Sequence, residues 1–160
     1  MGTNVRTLIG VAAAATLALG CGGDEADVAP VAAQPGTLAG VPVHVQQSES
    51  CDCCGGWVEE IEALGADVEV TYLEDVVAAK DAAGVPHAAA SCHTSTVGPW
   101  AVEGHVPVEA LLDLLDSEPD VDGIALPGMP AGSPGMPGEQ QAPFEVVSFS
   151  EGEVVPFGSY

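Results

Sequence analysis

The chain has 160 residues, enough for one small domain with appendages. Asp and Glu total 24 against 2 Lys and Arg, for a formal net charge of −22. Such a chain excludes nucleic-acid binding, which needs basic surface to neutralise phosphate, and it disfavours electrostatic adhesion to anionic lipid.

Residues 1–20 read as an export signal. Arg6 precedes an apolar run from Leu8 to Leu19, too short for a comfortable transmembrane helix. Leu17-Ala18-Leu19-Gly20-Cys21 resembles a bacterial lipobox, in which the cysteine becomes the lipidated first residue. A lipid on Cys21 would tether the protein to a membrane without spanning it. The alternative is an ordinary signal with an incidental cysteine. Cleavage before Cys21 removes Arg6 and no acid, so Lys80 is left as the single basic residue of the mature chain, histidines aside. The acidity fits a high-salt habitat or the solubility of an exported protein, and either way it gathers cations near the surface.

Residues 21–41 read as a flexible acidic tether of Gly, Ala, Pro and acids without periodicity. The folded domain is expected over 42–160. Val43-His44-Val45-Gln46 alternates as a strand does. Cys51-Asp52-Cys53-Cys54-Gly55-Gly56-Trp57 follows, with three thiols crowded together. From Trp57 to Leu64 the apolar residues recur at helical spacing, and Gly65 closes the run. Asp67 to Leu73 predicts a second strand, and Asp75 to Ala83 a second helix ending at Gly84. Ser91 to Val97 and Trp100 to Val106 predict two more strands turned at Gly98-Pro99. Pro107 opens a third helix over Val108 to Leu115. Residues 123–138 form a Pro/Gly-rich loop, expected to be neither helix nor central strand. Phe144 to Phe149 and Val154 to Phe157 predict a terminal hairpin over 144–157. The order β-α-β-α-β-β-α is that of a thioredoxin-like α/β sandwich, a mixed sheet flanked by helices. Its thiols would sit at a helix N-terminus, where the dipole favours thiolate.

Cys51, Cys53, Cys54 and Cys92 remain after lipidation. An exported protein can close such a set into two structural disulfides. The crowding at 51–54 argues against that, because adjacent Cys53 and Cys54 cannot bridge each other without strain. Cys51 and Cys54 match C-x-x-C, the spacing of thiol–disulfide oxidoreductases. The third thiol between them offers a resolving group or a metal ligand. Cys51, Cys53, Cys54 and His93 would complete a tetrahedral zinc site. Met129 and Met136 lie between Gly and Pro, where there is little core for methionine to fill. Thioether and thiolate together form a soft donor set that selects Cu(I) over harder ions. His93 adjoins Cys92. His105 is a ligand candidate or, equally, a hydrogen-bonded residue at a strand-to-helix turn. His44 and His87 have no such company, and Trp57 reads as a core anchor.

At these residues the chain resembles the small exported copper-handling proteins of the CopG type, also grouped as a domain of unknown function. The resemblance rests on the block Cys51 to Trp57, on Ser91-Cys92-His93-Thr94, on Val102-Glu103-Gly104-His105-Val106-Pro107, and on Leu126 to Met136. The blocks stand in family order and cover about residues 42–160. The resemblance implies a thioredoxin-like fold, a copper-linked role in the periplasm or cell envelope, and site roles for Cys51, Cys53, Cys54 and Cys92. The acidic surface and the lipidated tether depart from the family pattern.

The expected protein is an envelope lipoprotein that binds Cu(I) for copper tolerance or delivery. Its metal donors are Cys51, Cys53, Cys54 and Cys92, with His93, His105, Met129 and Met136. Its partners are copper ions and other copper-handling envelope proteins. The alternative is a thiol–disulfide or copper oxidoreductase in which Cys51 and Cys54 are catalytic. A structural lipoprotein with two disulfides is a third class, and zinc a second metal. The Pro/Gly loop is expected to close over the Cys51–Cys54 end and to offer a thioether.

Lipidation is checked on the mature N-terminus. Mass spectrometry should find Cys21 first and carrying acyl mass, with the protein in the membrane fraction. A soluble form that begins beyond Cys21 without acyl mass would contradict it.

Overall fold

A computed structural model of the chain describes residues 37–160. The export signal over 1–20, Cys21 and all but the end of the tether lie outside the described residues. The elements are β1 (Pro42–Gln47), α1 (Asp52–Ala63), β2 (Asp67–Tyr72), α2 (Val76–Ala82), β3 (Thr94–Val97), β4 (Trp100–Glu103), α3 (Val108–Ser117), β5 (Gly123–Ala125), β6 (Glu145–Ser150) and β7 (Glu153–Ser159). The strands form one seven-stranded sheet in the order β2-β1-β3-β4-β5-β6-β7. β1 runs parallel to β2 and antiparallel to β3, and β3 and β4 are antiparallel. With α1, α2 and α3 these four strands make the thioredoxin-like core that the element order predicts.

The sheet is covered on both faces at its centre, which is why β4 and β5 are buried throughout rather than alternating with solvent. Alternation instead divides the side chains between two cores. Val43, Val45, Val97, Val102 and Ile124 pack with Trp57 and Ile61 of α1 and with Leu111 and Leu114 of α3. Ala101, Ala125 and Phe149 point the other way and pack with Val85 and Ala89, which follow α2. The Trp57 indole N–H donates to the Val106 carbonyl at 3.0 Å, so its one polar atom is satisfied inside the core.

Two expectations are corrected. Residues 123–125, read as the start of an irregular loop, form the buried central strand β5 between β4 and β6. Proline enters only at Pro127, so this short run keeps all its N–H groups for the ladder. Gly123 marks a close approach and not a turn: a Cβ there would strike the Ala101 carbonyl oxygen and the Phe149 ring. β6 and β7 form the terminal hairpin, and β6 also pairs with β5, so the hairpin extends the same sheet. Its two-residue turn uses Glu151 (φ 51°) and Gly152 (φ 84°), both left-handed, as the twist of a tight hairpin requires.

The second correction concerns the end of the tether. Leu38 and Val41 are buried in the larger core. The Leu38 and Gly40 N–H groups donate to the Leu64 and Gly65 carbonyls, each at 3.0 Å. Packing therefore begins ahead of Pro42. The expected consequence is that Leu38→Ala, in a segment that composition marks as linker, costs about 2–5 kcal/mol, the range for a buried leucine. Urea unfolding would show it as a lower midpoint at unchanged slope. An unchanged midpoint would return residues 38–41 to the tether.

Candidate metal centre

β1 ends at Gln47, and a tight turn, in which the Cys51 N–H donates to the Ser48 carbonyl at 3.1 Å, leads into α1. Cys51 is the N-cap of α1 and makes no side-chain cap bond. α1 starts at Asp52, five residues ahead of the start expected at Trp57, so Cys53 and Cys54 fall in its first turn. Cys54 is buried, whereas Cys51 and Cys53 are half-buried.

Helix propensity alone would not carry α1 through Gly55-Gly56. Packing explains the second glycine. A Cβ on Gly56 would lie 2.8 Å from the Gly135 Cα, and one on Gly135 (φ 77°) would lie 2.5 Å from the Cys53 carbonyl oxygen. The Pro/Gly loop thus closes backbone to backbone over the first turn of α1, at the end expected. A Cβ on Gly55 would meet nothing within 4 Å.

Cys92 and His93 lie in the segment that enters β3, and His105 lies just past β4. The Cys92 sulfur is 3.5 Å from that of Cys54, 3.3 Å from His93 Nδ1 and 2.8 Å from His105 Nε2. Cys51 and Cys53 place their sulfurs 3.7 Å apart. Two donor sets result: Cys51, Cys53, Cys54 and Cys92, and Cys54, Cys92, His93 and His105. Within each set the donor atoms all lie within 4.8 Å of one another, and Cys54 and Cys92 belong to both. Cys51 and Cys54 are joined as a disulfide, and Cys53 and Cys92 are the free cysteines among the described residues.

Hydrogen bonding fixes the proton on His105. Its Nδ1 lies 2.6 Å from the Pro134 carbonyl, which can only accept, so Nδ1 carries the hydrogen. Nε2 then faces Cys92 with a free lone pair, the arrangement that orients a ligating imidazole. Burial holds His105 below the usual histidine range, against the pull of the Pro134 carbonyl. His93 is pushed down to about 3, first by burial and then by His105 and Lys80. Its ring is fully buried between Trp57 and His105, and its Nε2 has no hydrogen-bond partner. A neutral imidazole with an unpartnered nitrogen is in its metal-binding form. Cys92 goes the other way. Burial above all, and then Cys53, push its thiol up to about 12, against the lowering effect of Lys80. Cys92 is therefore a protonated thiol that donates to His105, and a metal must displace that proton. The donor set, sulfur with neutral imidazole, fits a soft or borderline cation.

Neither methionine lines the groove over the thiols. The groove over them is lined by Ser50, Cys51, Asp52, Cys53, Gly135 and Pro137. Met136 lines a neighbouring groove with Glu60, Pro107 and Tyr160, and Met129 is 54 % exposed. The loop reaches the site with its backbone. His44 bonds Thr71 at 2.8 Å, apart from the thiols.

Glu103 and Lys80 were lost in the general excess of acid. The Glu103 carboxylate is fully buried and lies 2.7 Å from Lys80 Nζ, beside Cys92. The signal was present: one lysine among the alanines of α2, and one acid ending the apolar strand Trp-Ala-Val-Glu.

A family model described as "Protein of unknown function, DUF411" matches residues 89–136, which hold Cys92, His93, His105 and most of the loop. Two solved structures, named copper resistance protein copG Form 1 and Form 2, are similar to the chain at 36 % identity. Each alignment covers 76 % of this chain and 98 % of that one, with TM-scores of 0.69 and 0.70. No curated protein matches the chain.

The two glycines after the thiols give opposed expectations. Gly55→Ala adds a methyl in open space on a helix and should stabilise by about 0.5–1 kcal/mol. Gly56→Ala presses its methyl onto Gly135 and should destabilise by about 1–3 kcal/mol. Equal effects in urea unfolding would remove the glycine-on-glycine contact from the account.

Proposed function

The chain belongs to the CopG family of copper resistance proteins, and from that premise we propose that it is an exported, lipid-anchored protein that binds Cu(I) for copper tolerance or delivery. The observation that carries this reading is the pair of donor sets that share Cys54 and Cys92. Cys51, Cys53, Cys54, Cys92, His93 and His105 exceed what one tetrahedral zinc ion takes, and thiolates favour the softer cation. Zinc is the weaker alternative. The Cys51–Cys54 disulfide sets a condition on loading. Two electrons and two protons open it to two thiols, so the full sulfur set belongs to the reduced protein. The thioethers of Met129 and Met136 are auxiliary donors that the loop would bring in by shifting. Anchoring rests on the sequence around Cys21 and places the protein at the cell envelope, with other copper-handling envelope proteins as partners. Among the described residues no helix is long and apolar enough to cross a membrane.

One observation favours the second reading, a thiol–disulfide or copper oxidoreductase. The Cys92 sulfur stands 3.5 Å from Cys54, half of the disulfide. If His105 Nε2 took the Cys92 proton, the thiolate could attack Cys54 and release Cys51 as the leaving thiolate. Turnover of a disulfide substrate without copper would favour this reading.

The copper reading is tested by competition against a Cu(I) chelator. Reduced protein should bind Cu(I) far more tightly than Zn(II), and the disulfide form should bind less. Cys53→Ser and Cys92→Ser should each weaken Cu(I) binding by at least the roughly 10–100-fold that even an outer-shell change costs. The double change Met129→Leu, Met136→Leu should have a smaller effect, clearest at acidic pH where protons compete with copper for thiolate. Unchanged affinity in both cysteine variants would end the reading.

A further inference from the structure

The buried ion pair behind Cys92 has no part in the donor sets, yet every one of its contacts leads to the segment that carries two of the donors. Glu103 Oε1 accepts from the Ser91 backbone N–H at 2.5 Å and from Lys80 Nζ at 2.7 Å. Its Oε2 accepts from the Thr94 hydroxyl at 2.7 Å, and Lys80 reaches the same hydroxyl at 3.4 Å. One carboxylate therefore grips the residue before Cys92 and the residue after His93. A third tie, from the Gly104 N–H to the His93 carbonyl at 2.9 Å, comes from the same strand end. Ser91 also donates through its hydroxyl to the Gly128 carbonyl, which links the segment to the loop. Residues 91–93 belong to no helix or strand, so these contacts hold them where secondary structure does not.

A fully buried carboxylate is costly unless it is paired and hydrogen-bonded. This chain meets that cost with its single lysine, in a sequence whose net charge is −22. We propose that Glu103 is a positioning residue that holds Cys92 and His93 in donor geometry by its hydrogen bonds to Ser91 and Thr94, with Lys80 as its buried counter-charge. The metal arm of this proposal rests on the copper reading above, whereas the thiol arm stands without it.

Removing one partner alone would leave a buried charge unpaired and unfold the site for that reason, so the test uses neutral pairs. Lys80→Met, Glu103→Gln keeps an acceptor for the Ser91 N–H. Lys80→Met, Glu103→Leu keeps none. Thr94→Val removes one tie and leaves the ion pair in place. Two quantities are read on the full-length protein. The first is Cu(I) affinity of the reduced form by chelator competition. The second, read with the Cys51–Cys54 disulfide intact and no metal present, is the alkylation rate of Cys92 relative to Cys53, resolved by peptide mass spectrometry. The leucine pair should bind Cu(I) about 10–100-fold more weakly, and its Cys92 should be alkylated faster while Cys53 is unchanged. The glutamine pair should stay near the parent in both readings. Equal behaviour of the two pairs would overturn the proposal, because charge or packing would then account for everything. If the leucine pair does not fold, Thr94→Val decides by the same readings, and parent values in both would overturn it. If the parent itself binds no Cu(I), the copper reading falls and the alkylation rates still decide the role of Glu103.

Discussion

β1 and β3 run antiparallel with Gln46 opposite Thr94, and that pairing decides where the chemistry can be. The segment leaving β1 must lie beside the segment entering β3. The first carries Cys51, Cys53 and Cys54, and the second carries Cys92 and His93. β4 returns antiparallel with Glu103 opposite Thr94, so it ends at the same edge and delivers His105. β5 runs parallel to β4 with Ala125 beside Glu103, and the Pro/Gly loop leaves from there. Four segments far apart in sequence thus meet at one edge because of strand direction alone. A one-residue slip of β3 would turn its side chains to the opposite face of the sheet.

The electrostatics of that edge differ from those of the surface around it. The chain is strongly acidic, but its centre holds a protonated thiol, two neutral imidazoles and an ion pair that cancels itself. Burial is the leading cause of each thiol and histidine shift. A cation that enters meets no fixed opposite charge among these donors. It has to generate that charge by displacing thiol protons, so the release of protons and the uptake of metal are one event.

Much of this was legible in the sequence, and the failures have physical reasons. Period-two alternation gave β1 and β2, and the helical spacing after Trp57 gave the body of α1. The blocks around Cys51, Cys92 and His105 mark the donors that the fold brings together. The start of α1 was hidden because Gly55-Gly56 opposes helix by propensity, while the reason for Gly56 is Gly135, far along the chain. β5 was hidden because three residues carry no period, and Gly123 looks like a turn until its neighbours are known. The buried pair of Lys80 and Glu103 was hidden because only the fold makes them neighbours. The glycine that the loop packs on α1 was hidden for the same reason, since only the fold shows that the contact leaves no room there for a side chain.

The open edges of the sheet, β2 and β7, have their own logic. An exposed strand edge invites a second copy to add its own strand, and many proteins block this with lysine. With a single lysine, already buried in the ion pair, this chain has none to place there. β2 instead presents exposed Asp67 and Glu69. β7 carries exposed Pro156, which has no N–H to offer, near a register shift between Val146 and Val147. Acid on one edge, and proline with a bulge on the other, discourage strand-by-strand aggregation in a protein with no lysine or arginine at the surface of its described residues.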